Sequence, residues 1–408
     1  MSEPRVLTPT DDGFRAASRV WNAAVRARPA AIARCGNSAE VAAAVRAGRE
    51  AGLPLSVRAG GHDWAGRAIR DGGFVIDLTG MRGVAVDPGR RVATVQGGAI
   101  TADLLAAAAP YGLVTATGVV SGVGLAGLTT AGGYGPLIGR YGLALDNLIG
   151  AELVLADGST VTAGPDDDPE LWWAVRGGGG NLGVVTALSY RMHPLPALLT
   201  GMLMFPFAQA GAVLSGYAEI VAAAPDELTV MGGFLPGPDG RPLVFLCPFW
   251  CGDDLAAGER AVARLRSLGR PVVDQIGSMP YADALGMFDG SMVEGNHYLL
   301  RTRWFADVAK AVGPLVDAAD AMSSPHSALI LNRFHGAAAR IDPAATAFAQ
   351  RTPHVVAEVI AAYPPDEPPG RHRAWADAVV SALDPIALPG GYPNLLGPDD
   401  DERARASF

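Results

Sequence analysis

The alternation of apolar and polar positions divides the first half of the chain into short elements. Residues 13–26 predict a helix, and Pro29 opens an extended segment over residues 30–35. Asn37 and Ser38 then cap a second helix, with Glu40 in its first turn and Gly52 at its end. Residues 54–58 predict a strand. Strand, helix and strand in that order signal a βαβ unit with parallel pairing. Further strands are expected at 74–78, 84–86 and 93–96, and a helix at 101–108. The strands 149–155 and 160–162 are joined by Asp157-Gly158, a hairpin signal. A short helix over 168–175 has Pro169 near its start, and a strand runs from Leu182 through Thr186 and beyond.

The character of the chain changes near Pro194-Leu195-Pro196. Beyond it, strands such as 228–232 and 243–247 alternate with helices such as 254–267, so a boundary is placed there and a second near Asp377. Residues 364–369 form a surface loop by composition. The stretch from Leu104 to Gly139 has no charged residue and is long enough to span a bilayer. Its nine glycines and two prolines, Pro110 and Pro136, break any continuous helix. A glycine-rich loop packed against something large and flat explains it better, and no membrane association is expected.

Composition narrows the function classes. The 408 residues, 49% hydrophobic and 18% charged, supply a substantial core and exclude wholesale disorder. A net charge of -9 disfavours a nucleic-acid partner gripped by bulk charge. Lys310 is the only lysine, in an Ala/Val-rich helical pattern, so Schiff-base chemistry has a single, poorly placed anchor. Cys35, Cys247 and Cys251 imply no disulfide framework. The pair Cys247 and Cys251 reads as small buried side chains at a strand end rather than as a zinc site. No secretory signal is visible after Met1, so a cytoplasmic location is expected.

Three glycine-rich segments carry the candidate chemistry: Arg58-Ala-Gly-Gly-His62, residues 118–135, and Arg176-Gly-Gly-Gly-Gly-Asn181. Gly122-Val-Gly124-Leu-Ala-Gly127 has the spacing of a dinucleotide fingerprint. It lacks the strand and helix flanks that give that spacing meaning, and its acidic partner would be Asp146, in a loop context. Taken together the segments say more. Glycines let main-chain amides approach a phosphate or a ring closely, and several such loops suggest one long cofactor. Flavin adenine dinucleotide (FAD) fits, with its pyrophosphate, ribityl chain and flat ring.

Arg58-Ala-Gly-Gly-His62-Asp63-Trp-Ala-Gly66 resembles the covalent-flavin motif of the berberine-bridge-enzyme-like FAD-linked oxidases, which have the vanillyl-alcohol-oxidase fold. Val20-Trp-Asn22, Tyr141 to Asn147, Ala156-Asp-Gly158, Leu171 to Thr186 and Gly391-Tyr392-Pro-Asn394 support it. The resemblance extends from about residue 14 to residue 396 and is nearest to the monocovalent branch of 6-hydroxynicotine oxidase type. It implies an α+β chain: a two-lobed FAD-binding domain of PCMH type (1–197), a substrate domain with an antiparallel sheet covered by helices (198–376), and a C-terminal segment (377–408) returning to the FAD domain. Relatives usually continue past Phe408, so this segment is expected to be shortened.

The resemblance also assigns roles. His62 would carry the flavin 8α-methyl group, and the amides from Gly60 to Asp63 would bind the pyrophosphate. Further cofactor contacts are implied for Arg58, Ala59, Gly61, Val120, Val123, Gly124, Gly127, Leu128, Gly132, Gly133, Asn147, Asn181, Gly183, Val184 and Val185. Bicovalent relatives have a cysteine where Val120 stands, so attachment through His62 alone is expected. Leu128 replaces a histidine and Ala131 a glycine of many relatives. Val123 lies where oxygen access is governed and matches oxidases better than dehydrogenases. Tyr392 is a base or a wall residue that orients substrate; Asn394 orients substrate or flavin. Asn332 is a catalytic candidate on the strand 329–335, on the opposite face from Arg333 and His335. This strand lacks the acid or lysine that relatives often carry there. Arg301 and Arg303 would meet an anionic substrate or form structural ion pairs. The expected activity is hydride transfer from an alcohol or amine carbon of a small substrate to flavin N5, with O2 reduced to H2O2. The alternatives are a dehydrogenase insensitive to O2 and a catalytically degenerate flavin binder.

Overall fold

The computed structural model describes residues 3–195, 197–291 and 293–407, arranged around three principal sheets. In the first, Arg5–Leu7, Ala31–Arg34, Phe74–Asp77 and Leu55–Arg58 lie side by side in that order, the last three parallel. The expected βαβ unit is present, but its two strands do not pair with each other; Phe74–Asp77 lies between them. The crossover helix Ser38–Glu50 starts where its cap predicts: the Asn37 side chain accepts the Glu40 N–H at 3.0 Å. Its apolar face, Val41, Ala44 and Val45, packs on Ala33, Phe74 and Ile76. Burying each valine contributes about 1.5–3 kcal/mol.

The helix expected over 13–26 is reduced to Phe14–Ala17. Tertiary hydrogen bonds take the chain away from helical pairing. The Trp21 N–H donates to the Gly61 carbonyl and the Ala23 N–H to the Asn296 carbonyl. The buried Asn22 amide bonds to main-chain groups of Ala24, Trp64 and Tyr298. Propensity is a weak prior beside such contacts.

The second sheet is antiparallel, in the order Val84–Asp87, Val92–Gln96, Val184–Arg191, Leu148–Val154 and Thr160–Ala163. The Asp157-Gly158 hairpin forms with Gly158 at φ 82°. The strand expected from Leu182 begins at Val184, because Gly179–Leu182 closes a tight 3-10 turn. The glycine-rich stretch is not one loop: it contains the short helices Leu125–Thr130 and Ile138–Tyr141. Among the described residues no helix is long and apolar enough to cross a membrane.

The third sheet has nine strands, its main path running from Leu203–Pro206 through Pro242–Trp250, Leu228–Pro236, Ala328–Phe334 and His354–Tyr363 to His297–Phe305. Its pairings are antiparallel. Helices Ala210–Ala222, Leu255–Arg266, Val312–Asp320 and Gly370–Leu383 cover one face around a core that includes Leu214, Tyr217, Leu265, Leu315 and Trp375. The other face meets the first part of the chain: Met231 and Phe245 share a cluster with Leu137, and Leu300 and Ile360 share one with Trp21. The expected α+β architecture is present. Asp377 lies inside the helix Gly370–Leu383, and Pro196, at the other expected boundary, lies outside the described residues. Lys310 is exposed.

Candidate functional site

Strand Leu55–Arg58 delivers the chain into Ala59–Asp63, where the amides of Gly60, Gly61, His62 and Asp63 find no acceptor among the described residues. This loop abuts the glycine-rich loop glycine to glycine. A Cβ on Gly60 would lie 2.4 Å from the Gly124 nitrogen, and one on Gly124 would lie 2.5 Å from the Gly60 nitrogen. The contact sets His62 beside Gly122, where a Cβ would lie 3.8 Å from Nε2. Around Gly127, Gly179 and Gly180 a Cβ would meet nothing within 4 Å. A run of unpaired amides between two glycine loops, with an imidazole beside it, fits a long cofactor carrying phosphates; FAD has that chemistry.

The side chains of three expected cofactor residues are engaged elsewhere. Arg58 Nη1 donates to the Ala17 carbonyl at 2.7 Å and lies 3.9 Å from Asp77. Asp63 pairs with Arg67 at 2.9 Å and accepts its N–H at 2.6 Å. Asn147 donates to the carbonyls of Tyr141 and Leu143, both at 2.8 Å, while its oxygen meets His193 Nε2 at 2.7 Å. Asp63 is left with its main-chain amide to offer, the Arg58 carbonyl already accepts the Leu78 N–H at 2.8 Å, and Asn147 is a loop staple. Val120, Val184 and Val185 are buried, Val123 and Leu128 are half-buried, and Asn181 is exposed at the third glycine segment.

His62 is stacked on Trp21, ring centroids 4.6 Å apart and planes within 17°. Burial pushes its pKa down to about 4, against the opposing charge of Asp289. The imidazole is therefore neutral at pH 7.

A second group of residues gathers where the C-terminal segment crosses the glycine loop. The Tyr392 hydroxyl oxygen accepts the Gly133 N–H at 2.8 Å and the Asn394 Nδ2–H at 2.8 Å. Asn394 also donates to the Leu128 carbonyl at 3.0 Å, which orients its amide. The Tyr392 ring stacks on Tyr134 at 4.2 Å. Tyr134 donates to His354 Nε2 at 2.9 Å, since His354 Nδ1 donates to the Thr352 carbonyl at 2.7 Å. Burial raises the Tyr392 pKa above the ordinary phenol value despite the donors aimed at it, and the charge of Glu358 adds to that. The phenol keeps its proton at neutral pH.

Glu358 is the residue missed in the sequence. It sits on His354–Tyr363, between Val356, which packs with Tyr392, and Ile360, which packs with Trp21. Asn332 Nδ2 donates to its Oε1 at 2.6 Å. Burial pushes the carboxyl up to about 7, the Asn332 hydrogen bond opposing. The acid sought on the strand 329–335 is thus on the neighbouring strand, where Ile330 faces Glu358 across the ladder. The signal was a lone carboxylate in an apolar strand, a pattern that has to be paired or functional.

The strand faces also separate the remaining candidates. Arg333 lies on the side of Leu329 and Leu331, within the helix-covered core, and His335 Nε2 bonds to Thr229 at 3.2 Å. Arg301 pairs with Asp377 at 3.0 Å and Asp399 at 3.2 Å, and Arg303 pairs with Asp384. Of the two roles open to Arg301 and Arg303, the structural ion pair is the one observed. Cys247 and Cys251 are buried, and burial pushes both thiols up to about 12.

The family model described as "FAD binding domain" matches residues 29–164. The chain is similar to (R)-6-hydroxynicotine oxidase of Paenarthrobacter nicotinovorans, 35% identical over 297 residues. That match covers 71% of this chain and 64% of the relative, so it spans less than two thirds of the relative's length. The structure of 6-hydroxy-D-nicotine oxidase from Arthrobacter nicotinovorans superposes with a TM-score of 0.88 at 31% identity, covering 99% of this chain and 91% of that one. The berberine-bridge-enzyme-like protein 1 of Physcomitrella patens has the same fold, with a TM-score of 0.88 at 20% identity, covering 97% of this chain and 89% of that one.

Proposed function

We propose, given that the chain belongs to the berberine-bridge-enzyme-like family of FAD-linked oxidoreductases, that it is an FAD-dependent oxidase of a small organic alcohol or amine. FAD is held covalently through His62 alone, and O2 takes the electrons as H2O2. The observation that carries this reading is the half-buried Glu358 carboxyl, bonded to Asn332 and poised near pH 7 beside Tyr392. A carboxyl with that pKa accepts a proton at the working pH and is otherwise costly to bury.

Bound FAD supplies the hydride acceptor. The amides of Gly60 to Asp63 hold the pyrophosphate, and residues 1–197 form the cofactor domain. Val120 stands where a second, cysteinyl link would require a thiol. Residues 198–376 form the substrate wall. Glu358 takes the O–H or N–H proton of the substrate as its C–H bond is broken, and Asn332 fixes the carboxyl. Tyr392, with both lone pairs engaged by Gly133 and Asn394, acts by donating its hydrogen to the substrate heteroatom and so orients it. Glu358 supplies an acid next to the strand 329–335, whose lack of an acid or lysine was one motive for a degenerate flavin binder.

The test has two steps. The purified protein is precipitated in acid, and flavin is expected to stay on the polypeptide in the peptide that contains His62. Alcohols and amines are then screened for flavin bleaching without air and for peroxide in air. Bleaching that air does not reverse would make the protein a dehydrogenase. Failure to take up FAD at all would return the degenerate reading.

A further inference from the structure

Trp21 and Asn22 lie outside all three glycine segments, yet the Trp21 ring stacks on His62 and its N–H bonds to the Gly61 carbonyl. We infer that Trp21 is a positioning residue for covalent flavin attachment: its indole, backed by Tyr298, holds the His62 ring in the plane from which a ring nitrogen bonds to the flavin. The inference rests on the His62 link proposed above and deepens it.

Three rings are stacked in order. His62 lies on Trp21 at 4.6 Å and 17°, and Trp21 lies on Tyr298 at 4.1 Å and 24°. Trp64 closes the stack edge-on, 5.0 Å from Trp21 and 5.8 Å from Tyr298, at 82° to each. Aromatic pairs in such geometries contribute about 0.5–1.5 kcal/mol beyond their burial, so the stack resists rotation of any one ring.

The main chains that carry the rings are tied together by one buried amide. Asn22 Nδ2 donates to the carbonyls of Trp64 at 2.9 Å and Tyr298 at 3.0 Å. Its Oδ1 accepts the N–H groups of Tyr298 and Ala24, both at 3.1 Å. The Trp21 N–H donates to the Gly61 carbonyl, one residue before His62. The clamp therefore spans both halves of the molecule: Trp21, His62 and Trp64 from the first part of the chain, Tyr298 from the third sheet.

A histidine on a loop has two free torsions, and most of their range turns its nitrogens away from any one carbon. Trp21 removes rotation out of the stack, and the Gly122 main chain lies beside Nε2. What remains is a neutral nucleophile held in one orientation, the arrangement in which proximity is most effective. In the bond-forming step His62 gives up its N–H proton and the flavin 8α-carbon gives up one C–H proton as a C–N bond forms between them. The two electrons released reduce the flavin and pass to O2, which leaves with both protons as H2O2.

The experiment uses the full-length chain, wild type and variants, produced in flavin-limited cells and then given excess FAD in air. Each time point is divided. One portion is desalted under native conditions to count bound FAD; the other is precipitated in acid to count flavin attached to the polypeptide. Trp21→Leu is expected to bind FAD as the wild type does but to form the covalent bond slower by about tenfold or more. Trp21→Phe keeps a stacking ring and is expected to recover the wild-type rate to within about threefold. Attachment by Trp21→Leu at the wild-type rate and equal occupancy overturns the inference. So does an equal loss of FAD binding and attachment in both variants, which is what a purely structural role predicts. Tyr298→Leu removes the backing ring without touching Trp21 or His62. Should Trp21→Leu fail to fold, a wild-type rate in Tyr298→Leu overturns the inference by itself. Release of all flavin by acid from the wild-type protein rejects the His62 link instead, so the two failures are distinguishable.

Discussion

Glu358 illustrates how much one half-buried carboxyl can decide. An ordinary glutamate ionises near 4.5; here burial holds the proton on up to about pH 7. The sign for reactivity follows directly. As a base Glu358 works when deprotonated, so flavin reduction is expected to rise with pH through about 7. Glu358→Gln keeps the Asn332 hydrogen bond and removes the base. It should slow flavin reduction by about 10²–10⁴-fold and abolish that rise while FAD content stays unchanged. Stopped-flow reduction across pH 5–9 (on the order of that range, either side of the shifted value) makes the comparison. The sign for stability is opposite. Between about 4.5 and 7 the folded protein holds a proton that the unfolded chain has lost, so Glu358 costs stability as pH rises through that window. Glu358→Gln should therefore be the more stable protein above pH 7 and match the wild type below pH 4.5 in urea unfolding. Equal unfolding curves at both pH values would mean that the carboxyl is not shifted.

At the scale of elements, the proposed cofactor cradle depends on two loops meeting where neither has a side chain. A Cβ on Gly124 would collide with backbone rather than with a side chain that can move. Gly124→Ala is expected to cost about 1–3 kcal/mol and to lower FAD occupancy, because the Gly60 amide is displaced with the loop. Gly127, inside the helix Leu125–Thr130, has open space around it. Gly127→Ala should leave the melting temperature of the FAD-free protein unchanged or raise it, since alanine favours the helix. A pair of variants with the same melting temperature would contradict the glycine contact. The regular elements around the cradle were legible because their signals are local: the Asn37 cap, the Asp157-Gly158 turn and the apolar strands. The helix expected over 13–26 fails over residues 18–26 because what straightens them, the bonds through Asn22 to Trp64 and Tyr298, is remote in sequence.

At the scale of the whole molecule, the turn Ala144–Asn147 that follows the glycine-rich stretch is joined by a buried ion pair to the segment leading into strand His354–Tyr363 of the third sheet. Arg351 Nη1 and Nη2 each lie 2.9 Å from an Asp146 oxygen, with the side chains 1% and 3% exposed. Arg351 also donates to the Ala338 and Phe348 carbonyls and to Thr346 Oγ1, and Asp146 accepts the Leu143 N–H. Removing one partner leaves a buried charge. Arg351→Met is expected to cost about 3–5 kcal/mol in denaturant unfolding, with part recovered on adding Asp146→Asn. Additive losses in the double variant would show that the pair is not coupled.

Read from the sequence alone, the glycine segments, the His62 motif and the apolar strands were enough to determine the family, the cofactor and the α+β architecture. These signals need only neighbouring residues, because caps, turns and close main-chain approach are properties of a few consecutive positions. The pairing of residues far apart in the chain was decided by the tertiary structure. It brought Glu358 to Asn332, Tyr392 to Gly133 and Trp21 to His62, and it turned Arg301 and Arg303 toward Asp377, Asp399 and Asp384. A lone glutamate in an apolar strand acquires its pKa from what buries it, and which residues bury it is set by the packing of the sheet against the glycine loops.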